Sequence, residues 1–212
     1  MRTLTVSVLA AFITLTAGVD PYRADVNLGV SIDDDGIKGF YLAIGEHFKV
    51  PEKEVVVVKK RNVPDEELPV IFFLARHCSV APEVVIKLRL GGKSFMDICL
   101  QYGLTADIFY VPLQHAPGPP YGKAWGHFKK TEKKDWGTIR LTDVDVINFV
   151  NLKFISGHYG YSPDEVARMR ADGASFVKIH SDIKKAKGPK EKLADSESNK
   201  AQPENKGKGN KK

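Results

Sequence analysis

The chain predicts a mainly α fold: repeated helical hairpins, preceded by one short N-terminal strand and interrupted by a long loop rich in aromatic residues, Gly and Pro. Three observations carry that expectation. First, residues 77–98 lie without a gap on residues 158–179, and eight of the 22 aligned pairs are identical. These are His77/His158, Pro82/Pro163, Val85/Val166, Arg89/Arg170, Gly92/Gly173, Ser94/Ser175, Phe95/Phe176 and Ile98/Ile179. A fainter copy at 47–68 keeps His47, Val50 and Val55, with apolar Val58 and Leu68. Self-similarity at this length is the mark of a reused supersecondary unit. Second, the apolar residues inside each copy recur at helical spacing. Third, residues 112–141 break the pattern and hold both tryptophans of the chain.

Each unit has a helical grammar. In the middle copy Pro82 suits a first turn, where the missing N–H costs nothing, and Val85, Leu88 and the stem of Arg89 share a face. Gly91-Gly92 supplies a left-handed terminus, and Ser94 caps a second helix carrying Phe95, Ile98 and Cys99. The last copy repeats this with Ser162-Pro163-Asp164-Glu165, then Gly173 and Ser175. A hairpin with one apolar side cannot bury it alone, and stacking neighbours is the remedy.

Composition locates the charge. The formal net charge is +6, and residues 184–212 hold ten Lys against four carboxylates, so the tail accounts for all of it and the body is balanced. An even body gives no charge-based reason to read it as a nucleic-acid binder.

In chain order, Arg2 and the apolar run Leu4–Ala17 have the outline of an export signal over residues 1–19, against a retained anchor or a buried helix. Val26, Leu28, Val30 and Ile32 alternate and predict the strand. Asp33-Asp34-Asp35-Gly36 lacks the alternate carboxylates and distal Glu of a calcium loop, and reads as a turn placing negative charge before a helix at Gly39–Phe48. The Val55–Val58 run is β-branched, yet its register against Val85–Leu88 argues for helix. Asp65–His77 is a further helix, and Thr142–His158 is a long amphipathic one, capped by Thr142 with Asp145 and striped by Val146, Phe149, Val150 and Phe154. One helical-repeat domain thus spans 25–183, and 184–212 is a disordered Lys-rich tail that buries too little to offset ordering entropy.

The candidate binding residues lie in the 112–141 loop: Tyr121, Lys123, Trp125, His127, Phe128 and Trp136. Aromatic rings beside lysines stack on sugars or bases, or grip an acidic partner; the competing reading is that Tyr121, Trp125 and Phe128 plug the loop onto the helices. His47, His77 and His158 recur at one repeat position, which in stacked repeats sends side chains out in parallel, so no metal site is expected. Cys78 and Cys99 form a disulfide if the compartment is oxidising, and are otherwise small buried apolar residues. No motif nominates a nucleophile with its base, so no catalytic residue and no cofactor is assigned.

Two resemblances follow. Leu88-Arg89-x-x-Gly92-x-Ser94-x-x-x-Ile98, then Gly103-Leu104-Thr105 and a third helix over Ala106–Tyr110, resembles a helix-turn-helix. That family implies DNA binding, but the third helix here carries Asp107 and no Lys or Arg, so the likeness speaks for hairpin geometry and nucleic acid is not the expected partner. The pattern Gly-x-Ser-Phe-x-x-Ile, at Gly92, Ser94, Phe95, Ile98 and at Gly173, Ser175, Phe176, Ile179, is similar to uncharacterised exported bacterial proteins with repeated helical hairpins. That likeness implies export, periplasmic or extracellular, and a helical fold. The functional expectation is a non-enzymatic exported protein that binds another macromolecule at the envelope, an anionic polymer or membrane surface, through the aromatic loop and the cationic tail. The alternatives are an intracellular helix-turn-helix DNA binder and an enzyme with a site under the loop.

Overall fold

The computed structural model describes residues 35–186. The expected signal, the strand at 26–32 and the tail beyond 186 lie outside the described residues, which are mainly helical and contain no strand. The helices are α1 (Asp35–Phe48), α2 (Glu52–Lys59), α3 (Leu68–Cys78), α4 (Pro82–Leu90), α5 (Phe95–Gln101), α6 (Gly122–Lys130), α7 (Asp143–Tyr159), α8 (Pro163–Ala171) and α9 (176–186). Short 3-10 turns occupy Asp65–Glu67, Ala106–Phe109 and Lys133–Thr138.

Three long helices, α1, α3 and α7, pack side by side, and each is followed by a short partner, α2, α4 and α8, that folds back on it. The reversals have a shared backbone cause. Lys49, Ser79 and Gly160 sit at the ends of the long helices with φ of 59°, 55° and 73°. The short helices are each followed by a second left-handed residue, Asn62, Gly92 and Gly173, with φ of 59°, 88° and 87°. Left-handed residues end helices by letting following amides reach back to the last carbonyls: Val50 N–H donates to Gly45 O and Val80 N–H to Ala75 O, each at 3.0 Å. The Val55–Val58 run is helical, because Val55, Val56 and Val58 are buried, and packing overrides β-propensity.

Side-chain caps start four of the described helices: Ser175 Oγ accepts the Lys178 amide at 3.1 Å before α9, and three others go further. Ser94 with Asp97, Thr142 with Asp145, and Ser162 with Glu165 each form a reciprocal capping box.

Five sequence expectations need correction. Helix α1 begins at Asp35, four residues before Gly39. Helix α7 is not amphipathic: Val146, Asn148, Phe149, Val150, Asn151, Leu152, Phe154, Ile155 and Tyr159 are buried, because α1, α3, α5 and α8 cover it on several sides. The third helix of the helix-turn-helix likeness is a single 3-10 turn with Ala106 and Phe109 buried. The 112–141 segment is not a plain loop, since α6 and the Lys133–Thr138 turn order much of it. The helical end also runs past Ile183 to residue 186.

Two arginines tie these helices to one another. Arg170 in the last turn of α8 donates through Nε to Asn148 Oδ1 at 3.0 Å, through Nη1 to Ala174 O at 2.9 Å, and through Nη2 to Glu66 Oε2 at 3.2 Å. Its guanidinium lies 4.6 Å from the centre of the Phe176 ring, and Glu66 Oε1 accepts the Phe176 amide at 2.7 Å. Arg89 in α4 repeats this: Nη1 reaches Asp143 Oδ2 at 2.6 Å and Lys93 O at 3.3 Å, Nη2 reaches Glu67 Oε1 at 3.1 Å, and the Phe95 ring lies at 4.4 Å. Asp143 Oδ1 accepts the Phe95 amide at 2.8 Å. In α2 the equivalent cation is Lys59, which donates to Val63 O at 3.0 Å and pairs with Asp65 at 3.0 Å. Glu66 and Asp143 thus each join a guanidinium to a backbone amide at the start of a following helix.

Candidate functional site

The candidate residues stand on a plug laid against α7. Residues 112–121 run back along α8, where the Asp164 carboxylate accepts the backbone amides of Gln114 and His115, each at 3.0 Å. A groove of about 210 Å³ remains beside this contact, lined by Leu113, Pro117, Asp164, Ala167 and Arg168 among others. Gly122 then allows α6 to begin hard against Pro117: a Cβ there would lie 2.8 Å from the Pro117 carbonyl oxygen.

The six residues separate by depth. Tyr121 and Phe128 are core residues, 1 % and 2 % exposed, with their rings 5.7 and 6.0 Å from that of Phe149 on α7. Trp136 is half-buried, 4.6 Å from Tyr110 and 5.1 Å from Phe128, and its Nε1 donates to Thr131 O at 3.0 Å. Trp125 is half-buried, with Lys129 Nζ 5.3 Å from the ring centre. Lys123 and His127 are exposed. The packing and binding readings are therefore not exclusive: one face of α6 anchors the plug, and the other is presented to solvent.

The outer face is cationic. Residues 121–141 contain six Lys or Arg against Glu132 and Asp135. Lys123, Lys129, Lys130, Lys133, Lys134 and Arg140 are all exposed. Lys134 pairs with Glu132 at 2.9 Å, each side chain being 73 % exposed, so water screens that pair strongly. Exposed lysines in the same segment as a half-buried indole, one of them over its ring, make a surface suited to anions and π-faces.

Inside the plug, two buried donors have no hydrogen-bond partner among the described residues: the Tyr121 hydroxyl and Trp125 Nε1. Burial pushes the Tyr121 hydroxyl well above its ordinary range, the opposite of what a proton-transferring phenol at neutral pH requires.

The cysteines are free thiols, Cys99 buried and Cys78 partly so. Burial, followed by the nearby Cys78 and Asp107, pushes the Cys99 thiol up to about 12, and burial raises Cys78 as well. Among the described residues no group of three or more His, Cys, Asp or Glu is arranged to hold a metal ion. No single described helix is long and apolar enough to cross a membrane.

The histidines depart from the expected parallel arrangement. His77 lies 4.3 Å from Phe73, whereas His47 and His158 come together with ring centres 6.2 Å apart, because α1 and α7 pack with their C-terminal turns adjacent. His180 on α9 joins that corner through Tyr159, and no sequence pattern had singled it out. Also missed were Glu66, Glu67 and Asp143, whose only linear signal is a carboxylate near a helix start, and Asn148 and Asn151, which look like breaks in an apolar stripe. No protein-family model, no curated protein and no solved structure matches this chain.

Proposed function

We propose that this is a non-enzymatic protein of repeated helical hairpins, exported to the envelope or beyond. It binds an anionic macromolecular surface through the outer face of α6 and the Lys133–Thr138 turn, with the cationic segment 184–212 adding to the attraction. The observation that carries the binding reading is Lys129 Nζ 5.3 Å from the Trp125 ring centre, with Lys123, Lys130, Lys133 and Lys134 also exposed in the same segment, on a body whose charges sum to zero. The repeat reading is supported by left-handed residues at matched positions, Lys49, Ser79 and Gly160 and then Asn62, Gly92 and Gly173, and by Lys59, Arg89 and Arg170, which each bond the carbonyl four residues on. Against the DNA-binding alternative stands the single 3-10 turn at Ala106–Phe109, where two of four residues are buried and the charge is that of Asp107.

The test is co-sedimentation of the full chain with anionic phosphatidylglycerol vesicles, neutral phosphatidylcholine vesicles and duplex DNA. Each basic residue held near an anionic surface contributes about 1 kcal/mol. The double reversal Lys129→Glu with Lys130→Glu should therefore lower affinity for anionic vesicles at least ~10-fold, and salt should weaken it further. Equal binding to neutral vesicles, or indifference to the reversal, refutes the reading. Export is tested by N-terminal sequencing of the mature protein after cell fractionation.

A further inference from the structure

A second feature lies apart from the α6 surface, where α1, α7 and α9 meet around three imidazoles. His47 in the last turn of α1 and His158 in the last turn of α7 both pack on Phe154, with ring centres 5.2 and 5.8 Å away. His180 on α9 is 1 % exposed, sits 5.8 Å from the Phe40 ring, and has Nδ1 2.5 Å from the Tyr159 hydroxyl oxygen. Two glycines make the seats. A Cβ on Gly39 would fall 2.8 Å from His180 Nε2, and one on Gly157 would fall 3.2 Å from His47 Cε1.

Such a corner houses neutral imidazole well and imidazolium poorly, because aromatic carbon offers no solvation for charge. Its surroundings add to that preference. His47 is faced by Arg76 from α3, by Lys49 just beyond α1 and by His158 from α7. His180 is faced by Lys184 on its own helix and by His158 and Tyr159 from α7. Among the described residues Glu46 of α1 brings a carboxylate to this corner, 3.5 Å from His158 Nε2 and 57 % exposed, so water screens it strongly. In the imidazolium both ring nitrogens of His180 are donors, so Nδ1 can no longer accept in the bond it shares with the Tyr159 hydroxyl inside this closed seat.

We infer that this corner is an acid-operated latch: protonation of His180 releases α9 from α1 and α7, and protonation of His47 loosens the α1 and α7 contact that seats it. Helix α9 is the element to leave because it carries His180, whose seat is made by Gly39 and Phe40 of α1 and Tyr159 of α7.

The direction follows from the proton balance. Burial, then neighbouring cations and imidazoles, hold both His47 and His180 down to about 4. In the unfolded chain they titrate near ~6.5. Stability is therefore complete above about pH 6.5, falls as pH drops towards about 4, and falls no further below that. Each histidine refused a proton raises the opening constant by up to ~10-fold per pH unit, less where solvent screens His47.

The experiment is hydrogen exchange on the full chain at pH 7 and pH 5, corrected for intrinsic rates, comparing residues 176–186 with residues 68–78. Protection of 176–186 should drop at least ~10-fold more than that of 68–78. The double substitution His47→Gln with His180→Gln, which keeps polar side chains but cannot titrate, should abolish the difference. Equal loss in both segments, no loss, or a difference that survives the double substitution overturns the latch. Should that variant not fold, NMR titration of the wild-type rings decides: midpoints well below ~6.5 for His47 and His180 support the latch, and ordinary midpoints sink it.

Discussion

Replacing Arg170 by Ala should be among the most damaging single changes in this protein, although the side chain sits at the end of a short helix rather than in the apolar core. The guanidinium makes four bonds: to Asn148 Oδ1, to the Ala174 carbonyl and to both oxygens of Glu66, over the face of Phe176. The Arg170 and Glu66 side chains are 20 % and 26 % exposed, so removal leaves a carboxylate poorly solvated and a carbonyl and an amide oxygen short of donors. Breaking a largely buried pair from one side costs about 3–5 kcal/mol, and the partial exposure places this one near the lower bound, at roughly 3 kcal/mol. Urea unfolding followed by circular dichroism at neutral pH, comparing midpoints at constant slope, measures it. Arg170→Lys should recover only part of the loss, because an ammonium cannot serve Asn148, Ala174 and Glu66 in one planar fork. The exposed pair supplies the control: Lys134→Ala should change stability by less than about 0.5 kcal/mol. A cost below ~1 kcal/mol for Arg170→Ala, or full rescue by Lys, would refute the claim that the fork joins α8, α9 and the Asp65–Glu67 turn.

Three further outcomes are expected. Tyr121→Phe should be neutral or stabilising by up to about 1 kcal/mol, because the buried hydroxyl it removes has no partner; a loss above ~1 kcal/mol in the same urea assay would show that the hydroxyl is bonded. Ser79→Gly and Lys49→Gly should each stabilise by about 0.5–1 kcal/mol, since both residues hold left-handed backbone that glycine adopts freely, and Gly160→Ala should cost roughly 1 kcal/mol; destabilisation by either glycine would contradict the shared turn. In the native protein at pH 7.5 alkylation should modify Cys78 before Cys99, whose thiol is both buried and pushed up to about 12, and unfolding in urea should make the two rates similar. Equal native rates would place Cys99 nearer the surface.

Much of the helical layout is legible in the linear text because helix ends are local events. Ser94, Thr142 and Ser162 each need only a carboxylate three residues on to close a capping box, and Gly92 and Gly173 announce left-handed turns that other residues resist. Val55–Val58 is helical as expected, although propensity alone points to a strand. Lys49, Asn62 and Ser79 occupy left-handed backbone without being glycine, and there the text was silent. The 112–141 segment misled for a different reason: α6 contains Gly122 and Gly126 and is a poor helix by propensity, so it forms because Tyr121 and Phe128 gain burial against Phe149 on a distant helix. The same burial divides the candidate residues, taking Tyr121 and Phe128 inward and leaving Lys123 and His127 in water.

What the amino-acid order determined by itself is short-range: the helical period, the caps, the glycine turns, and a tail whose ten lysines account for the net charge. Tertiary structure alone decided which carboxylate meets which arginine, that α7 is buried on several sides, and that His47, His158 and His180 share one corner. The physical reason is separation. Capping partners lie three residues apart and find each other whatever the rest of the chain does, whereas Glu66 and Arg170 are 104 residues apart and meet only after three helices have packed.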